Sequence, residues 1–243
     1  MTDADLAARL AEAAGRIAIA VRASAAFKGR ALGDAGDALA NAFLTRALRH
    51  QRPDDGLLSE ESSDSPDRLH HRRVWIVDPI DGTREYAEGR SDWAVHVALA
   101  IDEEPVVGAV ALPDLGLAPR SDQPAPLPTR PGQPRLVVSR SRPPPETVQI
   151  VAALDAVTLP LGSAGAKAMA VVRGEADIYL HSGGQHQWDS CAPVAVALAH
   201  GLHCSRLDGS PLRYNQPDTL LPDLLICRHE LAERVLAVLN SKQ

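Results

Sequence analysis

Ten residues, Val74-Trp75-Ile76-Val77-Asp78-Pro79-Ile80-Asp81-Gly82-Thr83, restrict the fold more than any other stretch of the chain. Four apolar, largely β-branched residues predict a short buried strand. Asp78-Pro79 predicts its end, because proline brings no N–H to a ladder and biases its predecessor away from helix. Gly82 permits a tight turn, and Thr83-Arg84-Glu85-Tyr86 opens a helix. Two carboxylates, Asp78 and Asp81, therefore fall at the carboxyl end of a strand, where open α/β sheets bind ligands. Free N–H groups at the helix start suit an anion such as phosphate. The turn thus pairs hard oxygen ligands with a phosphate cradle, and magnesium is commonly held by one or two carboxylates plus phosphate oxygens. An ordinary Asp-containing turn is the plainer reading. The strand, the spacing of three, the Gly-Thr pair and the preceding Glu60-Glu61 together weigh against it.

Periodicity organises the rest. Leu6, Leu10, Ala13, Ala14, Ile17 and Val21 predict an amphipathic helix over 3–26. Leu39, Phe43, Leu44 and Leu48 mark a second, with Asp34 and Asp37 at or near its start and suited to capping it. Leu57 to Ser59 predicts a strand running into Glu60. Residues 62–73 read as a mobile polar loop, 92–101 and 106–112 as a hairpin with Trp93, Val95, Val97 and Leu99 on one face. The division expected is an N-terminal α+β lobe over 1–112, a Pro-rich connector over 113–134, and a C-terminal α/β lobe over 135–243. Within the last, strands are predicted at 135–139, 157–161, 176–180, 203–207 and 224–227. Helices are predicted near 145–154, 167–173, 190–200 and 230–239, with Ser182 to Gln185 as a loop and Asp189 as a cap. Strands alternating with helices indicate an α/β or layered α+β fold.

Composition excludes several classes. A net charge of −6 argues against a nucleic-acid binder with a basic surface. No apolar run approaches the ~20 residues of a membrane span, and charged residues interrupt the N-terminus where a signal peptide would need an apolar core. Cys191, Cys204 and Cys227 are odd in number and far apart, which fits reduced thiols in a cytoplasmic protein.

Acidic residues recur at expected strand ends and helix starts: Asp37, Glu60, Asp78, Asp81 and Asp189. Each alone is a cap or a solvated end. Gathered in one crevice they would repel one another strongly without cations, and two metals about 4 Å apart are a known device for in-line phosphoryl displacement.

Glu60-Glu61, Asp78-Pro79-Ile80-Asp81-Gly82-Thr83 and Trp188-Asp189, in that order and spacing with Asp37 ahead, resemble the inositol monophosphatase superfamily of magnesium-dependent, lithium-sensitive phosphatases. The resemblance implies an αβαβα sandwich. It implies Glu60, Asp78 and the Ile80 carbonyl on one metal, Asp78, Asp81 and Asp189 on another, and Thr83 with Asp37 (and Glu60) activating water. Gly82 and Thr83 N–H groups would bind phosphate. Two or three Mg²⁺ per site are implied, with Mn²⁺ as a substitute and Li⁺ and Ca²⁺ as inhibitors. Ser59-Glu60-Glu61, Thr83-Arg84-Glu85-Tyr86, Val138-Ser139-Arg140-Ser141-Arg142, Gly162-Ser163-Ala164-Gly165-Ala166-Lys167 and Asp208 to Tyr214 are most similar to the CysQ-type branch, which acts on 3′-phosphoadenosine 5′-phosphate. That branch implies hydrolysis of the 3′-phosphate, also from 3′-phosphoadenosine 5′-phosphosulfate, in sulfate assimilation. Ser139, Arg140, Arg142, Ser163 and Lys167 would meet the substrate, the cations serving its second phosphate; surface solubility is their plainer role. An inositol or sugar phosphatase shares every metal-site residue, and a non-catalytic phosphometabolite sensor would not need them. The partner expected is a small phosphate ester, with no nucleic acid or membrane, on a monomer or homodimer.

Overall fold

The computed structural model describes residues 1–129 and 132–241. Two helices lead, α1 (Asp3–Ala23) and α2 (Arg30–Gln51). Next are β1 (Gly56–Ser59), β2 (Arg73–Asp81), the short α3 (Thr83–Ala87), β3 (Ala94–Ile101) and β4 (Glu104–Ala111). After the connector come β5 (Arg135–Ser139), α4 (Thr147–Leu154), β6 (Val157–Leu161), α5 (Ala164–Val172), β7 (Ile178–His186) and α6 (Gln187–Ala199). The last elements are β8 (His203–Ser205), β9 (Leu220–Cys227) and α7 (His229–Asn240). The strands form two sheets, ordered β1-β2-β3-β4 and β6-β5-β7-β9-β8.

Strand alternation sets the layers. Trp75 and Val77 of β2, with Trp93, Val95, Val97 and Leu99, pack outward against Leu6, Leu10 and Ala14 of α1 and Ala40 and Leu44 of α2. Val74 and Ile76, with Ala94, Ala98 and Ala100, face the opposite way, onto α5 and α6. The other side of α5 and α6 meets Tyr179, Leu224 and Ile226 of the second sheet. That sheet's far face carries Leu136, Val138, Ile178 and Leu225 against Ile150 of α4 and Val235 of α7. The order is helix, sheet, helix, sheet, helix, the expected αβαβα sandwich. Close approach of α6 depends on Gly108 of β4: a Cβ there would stand 2.5 Å from the Ala192 carbonyl.

Several boundaries depart from expectation. Strand β2 does not stop at Asp78 but runs to Asp81 through a bulge, its pairing with β3 passing from Asp78–His96 to Asp81–Ala94. Pro79 is tolerated because pairing with β1 has already ended at Val77, so no donor is missed. Ser182 to Gln185 is likewise a bulge within β7, not a loop. Gly183 and Gly184 take φ of +86° and +101°, and pairing with β9 resumes at Gln185–Leu221. Helix α5 begins at Ala164, three residues before the expected start, because the Ser163 hydroxyl accepts the Ala166 N–H at 2.9 Å. Within 62–73 a 3₁₀ turn spans Pro66–His70. Its Arg68 is buried, paired with Asp64 and donating to Asn215 and the Gln216 carbonyl, so the segment expected to be mobile is anchored. Part of the connector folds back on β4, Leu117 bridging Leu112 and Arg120 bridging Ala109.

Candidate metal centre

The bulge in β2 aims both of its aspartates at the start of α6. Asp78, Asp81 and Asp189 each present an oxygen within 4.8 Å of the others. Asp37 and Glu60 join them electrostatically, from α2 and from the end of β1. Asp37 is not a cap. Helix α2 starts at Arg30, which places Asp37 inside the helix, buried, beside the Thr83 hydroxyl. Asp189 sits in the first turn of α6 and closes a capping box, its Oδ2 accepting the His186 N–H at 2.6 Å.

The cluster carries more negative charge than its surroundings satisfy. Both oxygens of Asp78 and Oδ1 of Asp37 are buried with no hydrogen-bond partner among the described residues. Burial, then the charges of Glu60 and Asp81, holds Asp78 well above the carboxylate range. Burial pushes Asp37 up to about 8, with Glu61 and Glu60 adding and Thr83 opposing. Glu60, on the solvent side, is lifted to about 7 by desolvation of its carboxyl and then by Asp189. Burial and then Asp81 raise Asp189 to about 6. Asp81 alone goes the other way. Burial would raise it, but the His96 ring, Lys167 and the Gly165 N–H outweigh burial and bring it to about 2. Orphaned hard oxygens and raised carboxyl pKa values are what a divalent cation would relieve, so the donor set fits magnesium or a similar ion.

Thr83 comes after Gly82, whose φ of +85° makes the turn into α3. A Cβ on Gly82 would meet the Ser163 side chain at 2.8 Å, so glycine lets the start of α5 close over this turn. The Thr83 hydroxyl donates to the Ile80 carbonyl at 3.1 Å, tying one expected metal ligand to one expected catalytic group.

The expected substrate-side residues have other engagements. Arg140 donates to Glu85 at 2.7 Å and Glu88 at 3.0 Å. Lys167 lies inside α5, buried, donating to the carbonyls of Gly162 at 2.8 Å and Ser163 at 2.5 Å over the Tyr179 ring; burial lowers its pKa. The Ser139 hydroxyl accepts the Arg142 N–H, and Arg142 itself is exposed. Ser163 caps α5. Burial, then the charges of Lys167 and Arg142, brings His181 down to about 4.

Two histidines escaped the sequence reading. His181 is one. The other is His96, fully buried on β3 opposite Asp78, 3.2 Å from Asp81. Its signal was present: alternate residues of β3 on its face are Ala94, Ala98 and Ala100, and a lone imidazole among alanines calls for a polar partner.

The profile of the inositol monophosphatase family matches residues 7–243. A 3′-phosphoadenosine 5′-phosphate phosphatase of Mycobacterium leprae (strain TN) is 50% identical, over 99% of this chain and 94% of that protein. The 3′(2′),5′-bisphosphate nucleotidase CysQ of Escherichia coli (strain K12) is 31% identical over 77% and 81%. The crystal structure of CysQ from Bacteroides thetaiotaomicron superposes with a TM-score of 0.80 over 93% and 97%, at 24% identity. With the family profile spanning nearly the whole sequence and the carboxylate cluster where its motifs meet, this chain belongs to the inositol monophosphatase family.

Proposed function

We propose that this chain is a magnesium-dependent phosphatase that removes the 3′-phosphate of 3′-phosphoadenosine 5′-phosphate, in keeping with its 50% identical relatives. The observation that carries the chemistry is the buried, unpartnered Asp78 carboxylate at the centre of four other acids. Glu60, Asp78, Asp81, Asp189 and the Ile80 carbonyl are the residues that would hold cations. A divalent cation there offsets phosphate charge and makes water acidic enough to attack at neutral pH.

The chain's own residues supply the rest. Thr83 orients the attacking water through its hydroxyl. Asp37, beside the Thr83 hydroxyl, would take the proton that Thr83 passes on once a bound cation brings its raised pKa down and Thr83 turns from the Ile80 carbonyl toward it. Gly82 and Thr83 N–H groups meet the phosphate oxygens. Arg142, exposed just beyond β5, is the first candidate for the second phosphate; Arg140 would have to leave Glu85 and Glu88, and buried Lys167 the Gly162 and Ser163 carbonyls, to join it. That arrangement gives an inositol or sugar monophosphate fewer contacts than a nucleotide bisphosphate.

Phosphate release with Mg²⁺ from 3′-phosphoadenosine 5′-phosphate, inositol 1-phosphate and fructose 1,6-bisphosphate tests the reading. A kcat/KM at least tens of times higher for the nucleotide, about 2 kcal/mol in transition-state binding, is the expected result. Comparable values across the panel would replace it with a generalist phosphatase. No release from any of them would replace it with a phosphometabolite sensor.

A further inference from the structure

The environment of Asp81 leaves little of its carboxylate free. Its Oδ1 accepts the Ala164 N–H at 3.0 Å and its Oδ2 accepts the Gly165 N–H at 2.5 Å. The His96 Nε2 faces the same Oδ2 across 3.2 Å without an aligned hydrogen bond, so the ring edge covers that side of the oxygen. A carboxylate offers about four lone-pair directions. Three of them are confronted by nitrogen, and the one left belongs to Oδ1. Asp78 is the opposite case, with both oxygens buried and neither engaged by a described residue.

His96 is held on its other side as well. Its Nδ1 lies 3.0 Å from the Trp188 carbonyl, which can only accept, so Nδ1 carries a proton. Trp188 immediately precedes Asp189. One buried ring therefore connects the Asp81 carboxylate, from the first sheet, to the peptide beside the Asp189 carboxylate, at the start of α6. The ring lies hard against the backbone of α5: a Cβ on Gly165 would stand 2.1 Å from Nε2. Gly165 is thus small because the imidazole fills its side-chain space.

We propose that His96 is a positioning residue that restricts Asp81 to binding a cation through one oxygen, and that the site thereby favours a small octahedral ion over a larger one. The inference rests on the metal-dependent reading above. Small hard ions demand near-octahedral geometry and tolerate few arrangements, whereas Ca²⁺ takes six to eight oxygens and accepts both oxygens of one carboxylate. Blocking Oδ2 removes the arrangement that the larger ion prefers. With the ring gone, Asp81 still accepts the Ala164 and Gly165 N–H groups, but the second lone-pair direction of Oδ2 opens, so that one ion can meet both oxygens.

The test is calorimetric titration of the full chain, without substrate, with Mg²⁺ alone and with Ca²⁺ alone. His96→Leu is expected to weaken Mg²⁺ binding at least tenfold, the range seen when a ligand's supporting group is removed, and Ca²⁺ binding less than threefold. Unchanged affinities, or losses in the same proportion for both ions, overturn the role of His96 while leaving the metal site in place. A wild-type chain that binds neither ion instead removes the metal-dependent reading itself. Should His96→Leu fail to fold, His96→Gln and His96→Asn decide by the same two titrations: each is expected to lose more Mg²⁺ than Ca²⁺ affinity, and equal losses for the two ions overturn the proposal.

Discussion

At the scale of single residues, Asp78 and Asp81 share a turn but are held in opposite ways. Asp78 has no partner for either oxygen among the described residues, and Asp81 accepts two N–H groups and faces an imidazole. Neutralising each should therefore move stability in opposite directions. Asp78→Asn removes a group that must either carry buried charge or take up a proton. Its metal-free melting temperature at pH 8 is expected to rise by a few degrees, about 2–4 °C per kcal/mol in a chain of this size, while turnover falls at least 10³-fold. Asp81→Asn sets an amide against N–H donors; it is expected to remain folded, melt lower and lose turnover equally. Thermal unfolding in chelator beside a phosphate-release assay checks both. Thr83→Ala and Asp37→Asn should each reduce kcat by about 10²–10⁴, and the double variant little further, since the two act on one proton. Full additivity would show separate roles. The acids were legible because carboxylates at strand ends announce their chemistry. Lys167 and Arg140 were less so, because their partners, two α5-turn carbonyls and two α3 carboxylates, are set by tertiary contacts and helix starts that no local pattern displays.

At the scale of elements, two of the strands that feed the centre bulge just before a helix. β2 does so ahead of α3 and β7 ahead of α6. A bulge adds residues to one strand only and re-aims the backbone beyond it, and here it turns Asp81 and Asp189 toward each other. The bulges explain why sequence reading ended β2 early and took Ser182–Gln185 for a loop: proline and paired glycines normally punctuate strands, and only the partner strand reveals that pairing resumes. Elsewhere local pattern sufficed, as in β5 and β6, whose ends match the expected 135–139 and 157–161. Helix α6 is seated on Gly108. Gly108→Ala forces a methyl against the Ala192 carbonyl and Ala195. It should cost about 1–3 kcal/mol and, by shifting α6, raise the Mg²⁺ concentration needed for half-maximal rate. A normal Mg²⁺ requirement despite lost stability would show that Asp189 does not follow the helix.

At the scale of the whole molecule, a layered α/β fold was predictable from the alternation of strands and helices, and its five-layer order from the family resemblance. The shared core was not, because α5 and α6 pack on β2 and β3, strands that lie far earlier in the chain. This architecture encloses a charge problem with a definite pH signature. Asp37, Glu60 and Asp189, at about 8, 7 and 6, keep protons in the fold that the unfolded chain gives up near pH 4. Stability without metal must therefore fall as pH rises from about 4 to 8. Asp81, at about 2, has the opposite sign but acts only below the unfolded value near 4. Melting temperature in chelator is expected to drop between pH 5.5 and 8.5. Magnesium at a hundredfold excess over its dissociation constant should return about 2.7 kcal/mol; a flat profile in chelator would contradict the assigned shifts. Finally, the order in which the chain supplies the centre has a consequence for synthesis. Asp37, Glu60, Asp78 and Asp81 emerge early, while Asp189 and the Trp188 carbonyl that steadies His96 come after more than three quarters of the chain. On the proposed reading, a ribosome-bound fragment ending before α6 lacks one of its cation ligands, so a truncated product is expected neither to capture a metal fully nor to hydrolyse a phosphate ester before the second sheet has been made.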